Sequence, residues 1–76
     1  MSVMGKSILR FGVVAVGKEY ITVDQLSEAM KVQIEEDVGE KEHRPIGEIL
    51  LSMGYINPPQ LNEVLTEMEV LFSKSG

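Results

Sequence analysis

An internal repeat is the feature that most constrains the fold of this chain of 76 residues. When the sequence is shifted by 35 positions, RFGVVAVGKEYITVDQL at 10–26 aligns with PIGEILLSMGYINPPQL at 45–61. The identical pairs are Gly12/Gly47, Tyr20/Tyr55, Ile21/Ile56, Gln25/Gln60, Leu26/Leu61 and Glu28/Glu63. A unit that occurs twice predicts two similar substructures packed against each other.

Each copy contains the signals that start an α-helix. Thr22 and Gln25 have the spacing of a capping box, in which each side chain bonds the backbone of the other residue. Asn57 and Gln60 repeat this arrangement, and Pro58 occupies the first helical position, where no N–H is needed. An isoleucine before each cap faces a leucine as a hydrophobic staple (Ile21 with Leu26, Ile56 with Leu61). Apolar residues at helical spacing follow, so we expect helices near 22–36 and 57–73.

A shorter apolar segment precedes each cap, at 8–16 and at 46–53. The second segment has the spacing of a short helix and is followed by Gly54, which suits a left-handed helix end. The first is rich in β-branched valine and is also compatible with a strand. We favour a helix in both, because two copies of one unit should share a fold.

The sequence therefore predicts an all-α fold, in which two tandem helix-turn-helix repeats form a compact four-helix arrangement. At this length we expect a single domain over 1–76. Repeat 1 covers about 8–36, an acidic linker covers 37–44, and repeat 2 covers about 45–73. The start at 1–5 and the tail at 73–76 are expected to be frayed.

Composition excludes several classes of function. The chain has no cysteine and one histidine, so we expect no metal site, no catalytic triad or dyad, no cofactor and no enzymatic activity. With 12 acidic and 7 basic residues the net charge is −5, which disfavours nucleic-acid binding. Apolar runs near the N-terminus are too short for a signal peptide or a membrane span. We expect a cytoplasmic protein without membrane insertion.

Two arginine-glycine patterns are candidates for a binding site. Arg10, Phe11 and Gly12 open the first repeat, and Arg44 with Ile46 and Gly47 opens the second. An arginine can bind a phosphate through two hydrogen bonds, and a glycine lets a ligand approach the backbone. Alternatively, the glycines allow close helix packing while the arginines are solvated or pair with the acidic linker.

The tandem pattern resembles the N-terminal domain of type II secretion and type IV pilus assembly ATPases. The first motif is carried by Arg10, Phe11, Gly12, Ile21, Leu26, Met30 and Gln33, and the second by Ile46, Gly47, Gly54, Ile56, Leu61 and Leu65. This chain has Glu19 in place of the first motif's middle glycine. Pro45 occupies the second arginine position, and Met68 stands in place of the second glutamine. The resemblance covers about residues 8–70.

The resemblance implies a small helical domain that works beside an ATPase motor or another module. Some members of that family bind the bacterial second messenger cyclic di-GMP through both motifs. In this chain that ligand would contact Arg10, Phe11, Gly12, Gln33, Arg44, Ile46 and Gly47. The competing expectation is an adaptor that offers a groove between its two units to a protein partner, such as a partner helix or a secretion or pilus motor component.

Overall fold

A computed structural model of the chain describes residues 3–72, and the side chains of 8–71. Within 3–72 it contains four α-helices and no strand: α1 (Val3–Gly17), α2 (Val23–Val38), α3 (Ile46–Ser52) and α4 (Pro58–Phe72). The all-α prediction is confirmed, and the valine-rich first segment is helical. Val3–Gly5, expected to be frayed, is part of α1, while the expected frayed tail at 73–76 lies outside the described residues. No helix in the described range has the length and hydropathy to cross a bilayer.

The helices pair between the two units more than within them. Helix α1 packs chiefly against α4, and α2 packs chiefly against α3, while α1 and α2 share a smaller contact. Under the shift of 35 positions, α1 corresponds to α3 and α2 corresponds to α4. The α1–α4 pair is therefore equivalent to the α3–α2 pair. This is the contact pattern of an isologous interface, like that of a two-fold dimer made within one chain.

The core shows the same relation residue by residue. Ten apolar side chains of the described range are buried, and they form five pairs under the shift: Phe11/Ile46, Val14/Ile49, Ala15/Leu50, Ile21/Ile56 and Ala29/Val64. The methionines at 30, 53 and 68 are half-buried and pack against this core. Each unit therefore contributes an equivalent set of residues to one shared core.

Both predicted capping boxes are present in the structure. The Thr22 hydroxyl accepts from the Gln25 amide at 3.1 Å, and the Thr22 amide donates to Gln25 Oε1 at 3.0 Å. The Asn57 carbonyl oxygen Oδ1 accepts from the Gln60 amide at 2.8 Å, and the Asn57 amide donates to Gln60 Oε1 at 3.1 Å. These bonds satisfy amides that have no partner inside the helix, so they place the starts of α2 and α4.

Helices α1 and α3 end in the same way, although different residues carry the turn. At the end of α3, Gly54 has a φ of 81°, and the Tyr55 amide donates to the Leu50 carbonyl at 3.0 Å. At the end of α1, Glu19 has a φ of 63°, and the Tyr20 amide donates to the Ala15 carbonyl at 3.0 Å. Both ends are Schellman motifs. Glu19 thus holds a left-handed conformation that favours glycine.

A tyrosine and a glutamate join the units on each side of the molecule. Tyr20 of the first unit donates to the carboxylate of Glu63 at 2.7 Å, and Tyr55 of the second unit donates to Glu28 at 2.7 Å. The two bonds are equivalent under the shift. Lys18 adds an ion pair to Glu63 at 3.3 Å. The tyrosine and glutamate that both repeats share thus form a bond between the units, and each tyrosine also follows the turn within its own unit.

Replacing Glu19 by glycine should stabilise the fold. A left-handed residue with a β-carbon costs about 1–2 kcal/mol, and the greater freedom of glycine in the unfolded chain offsets about 0.5–1 kcal/mol of that. We expect Glu19→Gly to raise the free energy of unfolding by about 0.5–1 kcal/mol, measured by urea denaturation. Glu19→Ala, which keeps the β-carbon, is the control. A gain as large in Glu19→Ala would show that the charge, not the backbone, is responsible.

Both tyrosines should titrate above the pKa of free tyrosine. The hydrogen bond to Glu63 raises the pKa of Tyr20, and the bond to Glu28 raises the pKa of Tyr55. The folded state favours the protonated phenol, so this stabilisation is complete below the unfolded tyrosine pKa and is lost as pH rises through the folded pKa. An ultraviolet titration of tyrosinate measures both values, because the chain has only two tyrosines.

Single amide variants separate the two tyrosine titrations. Glu63→Gln should lower the pKa of Tyr20 toward its ordinary value and leave the pKa of Tyr55 unchanged. Glu28→Gln should do the reverse, and each variant is the control for the other. Two tyrosines that titrate at the ordinary value in the natural protein would contradict both bonds.

Candidate functional site

Four of the predicted site residues meet at one cavity between the units. This inter-unit cavity has a volume of about 730 Å³ and is partly open to solvent. Phe11, Gln33, Ile46 and Gly47 line it, and the remaining lining residues come from α1, the linker, α3 and α4: Ile8, His43, Pro45, Glu48, Leu61, Leu65 and Met68. The two arginine-glycine patterns therefore meet at this cavity, although the residues that line it are mainly their apolar ones.

The other three predicted residues lie elsewhere. Gly12 faces a second depression between α1 and α2, and Arg10 is half-buried on α1. Arg44 is in the linker before α3, where its guanidinium binds Glu36 through Nη2 at 2.7 Å and through Nε at 3.1 Å. Its Nη1 also donates to the Ser52 hydroxyl at 3.3 Å. The seven predicted residues do not form one cluster.

The Arg44–Glu36 pair holds the linker against α2. The side-chain hydrogen bond to Arg44 lowers the pKa of Glu36, and the same bond raises the pKa of Arg44. Two parallel bonds between a guanidinium and a carboxylate have the geometry that arginine also uses for phosphate. A phosphate at Arg44 would therefore have to displace Glu36. Arg44 thus pairs with an acid of α2 that directly precedes the linker at 37–44.

Gln33 is the buried polar side chain of the inter-unit cavity. Its side chain is 3% exposed, and its Nε2 donates to the Arg44 carbonyl oxygen at 2.9 Å. Its Oε1 has no hydrogen-bond partner among the described residues. A buried amide oxygen without a partner costs about 1–3 kcal/mol. The equivalent position in the second unit is Met68, whose thioether needs no hydrogen-bond partner. The cavity therefore has one buried acceptor, on the side of the first unit.

The two repeated glycines allow side chains to approach the backbone. A methyl group at Gly12 would lie 2.7 Å from Cδ2 of Leu26, and one at Gly47 would lie 2.6 Å from Cδ1 of Leu61. The same methyl at Gly47 would also lie 3.1 Å from the ring of Phe11. Each glycine thus receives the leucine that follows the helix cap of its own unit. Close packing within the protein explains these glycines without a ligand.

The charges at the inter-unit cavity are not those of an anion site. Its charged lining residue is Glu48, which is exposed on α3. The imidazole of His43 is directed to Asp37, with 3.1 Å between Nδ1 and Oδ1. Within the described residues no three histidine, aspartate or glutamate side chains are placed to share a metal ion. The cavity offers an apolar body with hydrogen-bond acceptors, which suits a ligand that carries N–H or O–H donors.

A second depression, which we call the apolar groove, lies between α1 and α2 and was not predicted. It has a volume of about 660 Å³, and its lining contains no charged side chain: Ile8, Leu9, Gly12, Val13, Val16, Gly17, Val23, Leu26 and Met30. Leu9 is 69% exposed and Val13 is 63% exposed. A contiguous patch of exposed apolar side chains is uncommon on a monomeric protein and marks an interaction site.

The repeat supplies the signal that could have revealed the apolar groove. Under the shift, Leu9 corresponds to Arg44, and Val13 corresponds to Glu48. Gly17 likewise corresponds to Ser52. Both units keep the same buried core, so the fold itself accepts either polar or apolar residues at these outer positions. The apolar choice in the first unit is therefore not required for folding.

Comparison of the chain with protein-family models, with curated proteins and with solved structures finds no significant match.

Proposed function

We propose that this chain is a non-enzymatic protein-interaction domain whose docking surface is the apolar groove. The observation that carries the proposal is the difference between the units at equivalent outer positions. Where the second unit has Arg44 and Glu48, the first exposes Leu9 and Val13. Removing apolar side chains from water is favourable, so these residues favour association with a partner that covers them. The relation to secretion and pilus ATPase domains remains a prediction from the sequence motifs.

The proposal places the docking surface in a different position from the groove expected between units. The space between units is the inter-unit cavity, whose apolar walls are partly closed by the packing of Phe11 and Leu61 around Gly47. The apolar groove instead lies within the first unit, on the outer side of α1 and α2. A partner can reach it without separating the units, so binding does not compete with folding.

Site-specific crosslinking tests the docking surface. Benzoylphenylalanine placed at Val13, which is exposed, should form an adduct with one identified protein in cells that express the chain at its natural level. The same group at Glu48, the equivalent exposed position of the second unit, is the matched control and should not give that adduct. Adding Leu9→Arg should abolish the adduct, because a buried unpaired charge costs several kcal/mol at an interface. Equal adducts from both positions, or none, would overturn the proposal.

A second candidate function is binding of cyclic di-GMP in the inter-unit cavity. The observation that favours it is Gln33 Oε1, a buried acceptor without a partner that could receive an N–H from a guanine base. The position of Arg44 favours it less, since this guanidinium is bonded to Glu36. The nucleotide would therefore rely on base contacts more than on phosphate contacts.

Gln33→Met tests this candidate without unfolding the protein. The variant places the residue type of Met68 at the equivalent position. It loses one hydrogen bond worth about 0.5–1.5 kcal/mol but also removes the unpaired oxygen, so stability should change by less than about 1 kcal/mol. Cyclic di-GMP should shift the amide resonances of Phe11, Gln33 and Gly47 in the natural protein, and its affinity should fall about threefold to tenfold in the variant.

A variant that should increase the affinity for the nucleotide serves as the control. Glu48→Gln removes a negative charge from the cavity wall and should strengthen the binding of a ligand with two phosphates. If millimolar cyclic di-GMP moves no resonance in any of the three proteins, the cavity does not bind this nucleotide and the protein-interaction function is the one left.

A further inference from the structure

Helix α2 carries an exposed apolar line that continues beyond the apolar groove. Its apolar members are Val23, the half-buried Met30, Ile34 and Val38, and the small polar Ser27 lies between the first two. The five residues follow one another at intervals of four, three, four and four. Ile34 is 57% exposed and Val38 is 77% exposed. Residues three and four apart are neighbours on a helix, so the line is continuous from the groove to the end of α2. We call this line the α2 seam.

The spacing of the α2 seam is that of a helix packed against another helix. Intervals of three or four residues place side chains on one stripe of a helix, which can face a partner helix. The seam spans about 22 Å along the axis, the length of a partner helix of about four turns. On α4 the equivalent positions are Pro58, Asn62, Leu65 and Glu69, so the apolar spacing stops at Glu69. The seam belongs to the first unit alone.

A ridge of charge runs beside the α2 seam. Asp24, Glu28, Lys31 and Glu35 each follow a seam residue directly in sequence, and all four are exposed. Consecutive residues lie about 100° apart around a helix, so the ridge flanks the seam on one side. Three acids and one lysine make this flank negative, in agreement with the net charge of −5 for the chain.

We propose that the occupant of the apolar groove and the α2 seam is an amphipathic helix of another protein, with basic residues on the edge that faces this ridge. The inference rests on the proposed docking function and adds the chemistry of the partner. Apolar side chains of that helix at positions i, i+3, i+4 and i+7 enter the groove between Leu9 and Met30. Its lysines or arginines pair with Asp24 and Glu35 at the rim, where complementary charge selects the partner and accelerates encounter.

The ridge also disfavours two other occupants. In a second copy docked antiparallel, seam to seam, the two negative ridges would approach each other, and in any arrangement each copy carries a net charge of −5. An anionic membrane surface is repelled by the same acids. A basic helix is the occupant for which the apolar contacts and the charges agree.

Three synthetic helices about four turns long, with one shared leucine stripe, test the proposal. Their flanking positions carry lysine, glutamine or glutamate. Binding is measured by amide shifts and by titration calorimetry, and the oligomeric state of the free protein is measured by sedimentation equilibrium. The lysine-flanked helix should bind with shifts at Val13, Met30 and Ile34. It should bind roughly tenfold or more tightly than the glutamate-flanked helix. The difference should shrink in about 1 M salt, where the Debye length is about 3 Å.

Matched variants of this chain separate the apolar and the charged contributions. Ile34→Glu introduces the residue of the equivalent Glu69 into the α2 seam and should abolish binding of all three peptides. Glu35→Lys should weaken the lysine-flanked helix severalfold and strengthen the glutamate-flanked one. Glu69→Lys, which changes the net charge equally but lies on α4, should leave the ratio between the peptides unchanged. The substituted side chains are exposed, so circular dichroism should report an unchanged fold.

Equal affinity for the lysine and glutamate peptides, shifts located outside α1 and α2, or no peptide binding would overturn the proposed occupant. A concentration-dependent dimer that Ile34→Glu dissociates would overturn it in favour of a second copy. The crosslink at Val13 distinguishes the two levels of the argument. If an identified protein still forms the adduct, only the chemistry assigned to the partner is wrong; if that adduct is also absent, the docking function fails with it.

Discussion

The shared burial of equivalent apolar residues from the two units is the constraint on which the rest of the structure depends. Phe11 and Val14 on α1 and Ile46 and Ile49 on α3 belong to one core, which forms where α1 packs on α4 and α2 packs on α3. A helix pair of about 30 residues buries too little surface to be stable alone. The internal two-fold arrangement doubles the core without a new type of contact, and the Tyr20–Glu63 and Tyr55–Glu28 bonds repeat at its two edges.

A core built this way leaves the outer faces of the helices free to diverge. The buried positions are apolar in both units, whereas Leu9 and Val13 correspond to the charged Arg44 and Glu48. In the second unit the outer residues serve the protein itself, since Arg44 ties the linker to Glu36 on α2. In the first unit no described contact uses Leu9 and Val13 in that way, and their exposure has a cost that folding does not recover. This difference is the physical basis for assigning interaction to the first unit.

The candidate site was predictable in part. Motif reasoning grouped Phe11, Gln33 and Gly47, and the structure places all three at the inter-unit cavity. It did not place Arg44, whose bond to Glu36 depends on how the linker crosses α2. Nor did it anticipate that Gln33 would donate to the Arg44 carbonyl and leave Oε1 unpaired in the inter-unit cavity, since that geometry exists only after the units meet.

The sequence by itself determined where α2 and α4 begin and that the chain contains one unit twice. The capping bonds of Thr22 and Asn57 reach only three residues along the chain, so local order is enough to specify them. Only the tertiary structure decided which face of each helix is buried. Val13 and Val14 are adjacent and chemically identical, yet Val14 is 5% exposed and Val13 is 63% exposed. Burial depends on the position of α4 and α3 around the helix, and that position is set by packing between residues far apart in sequence.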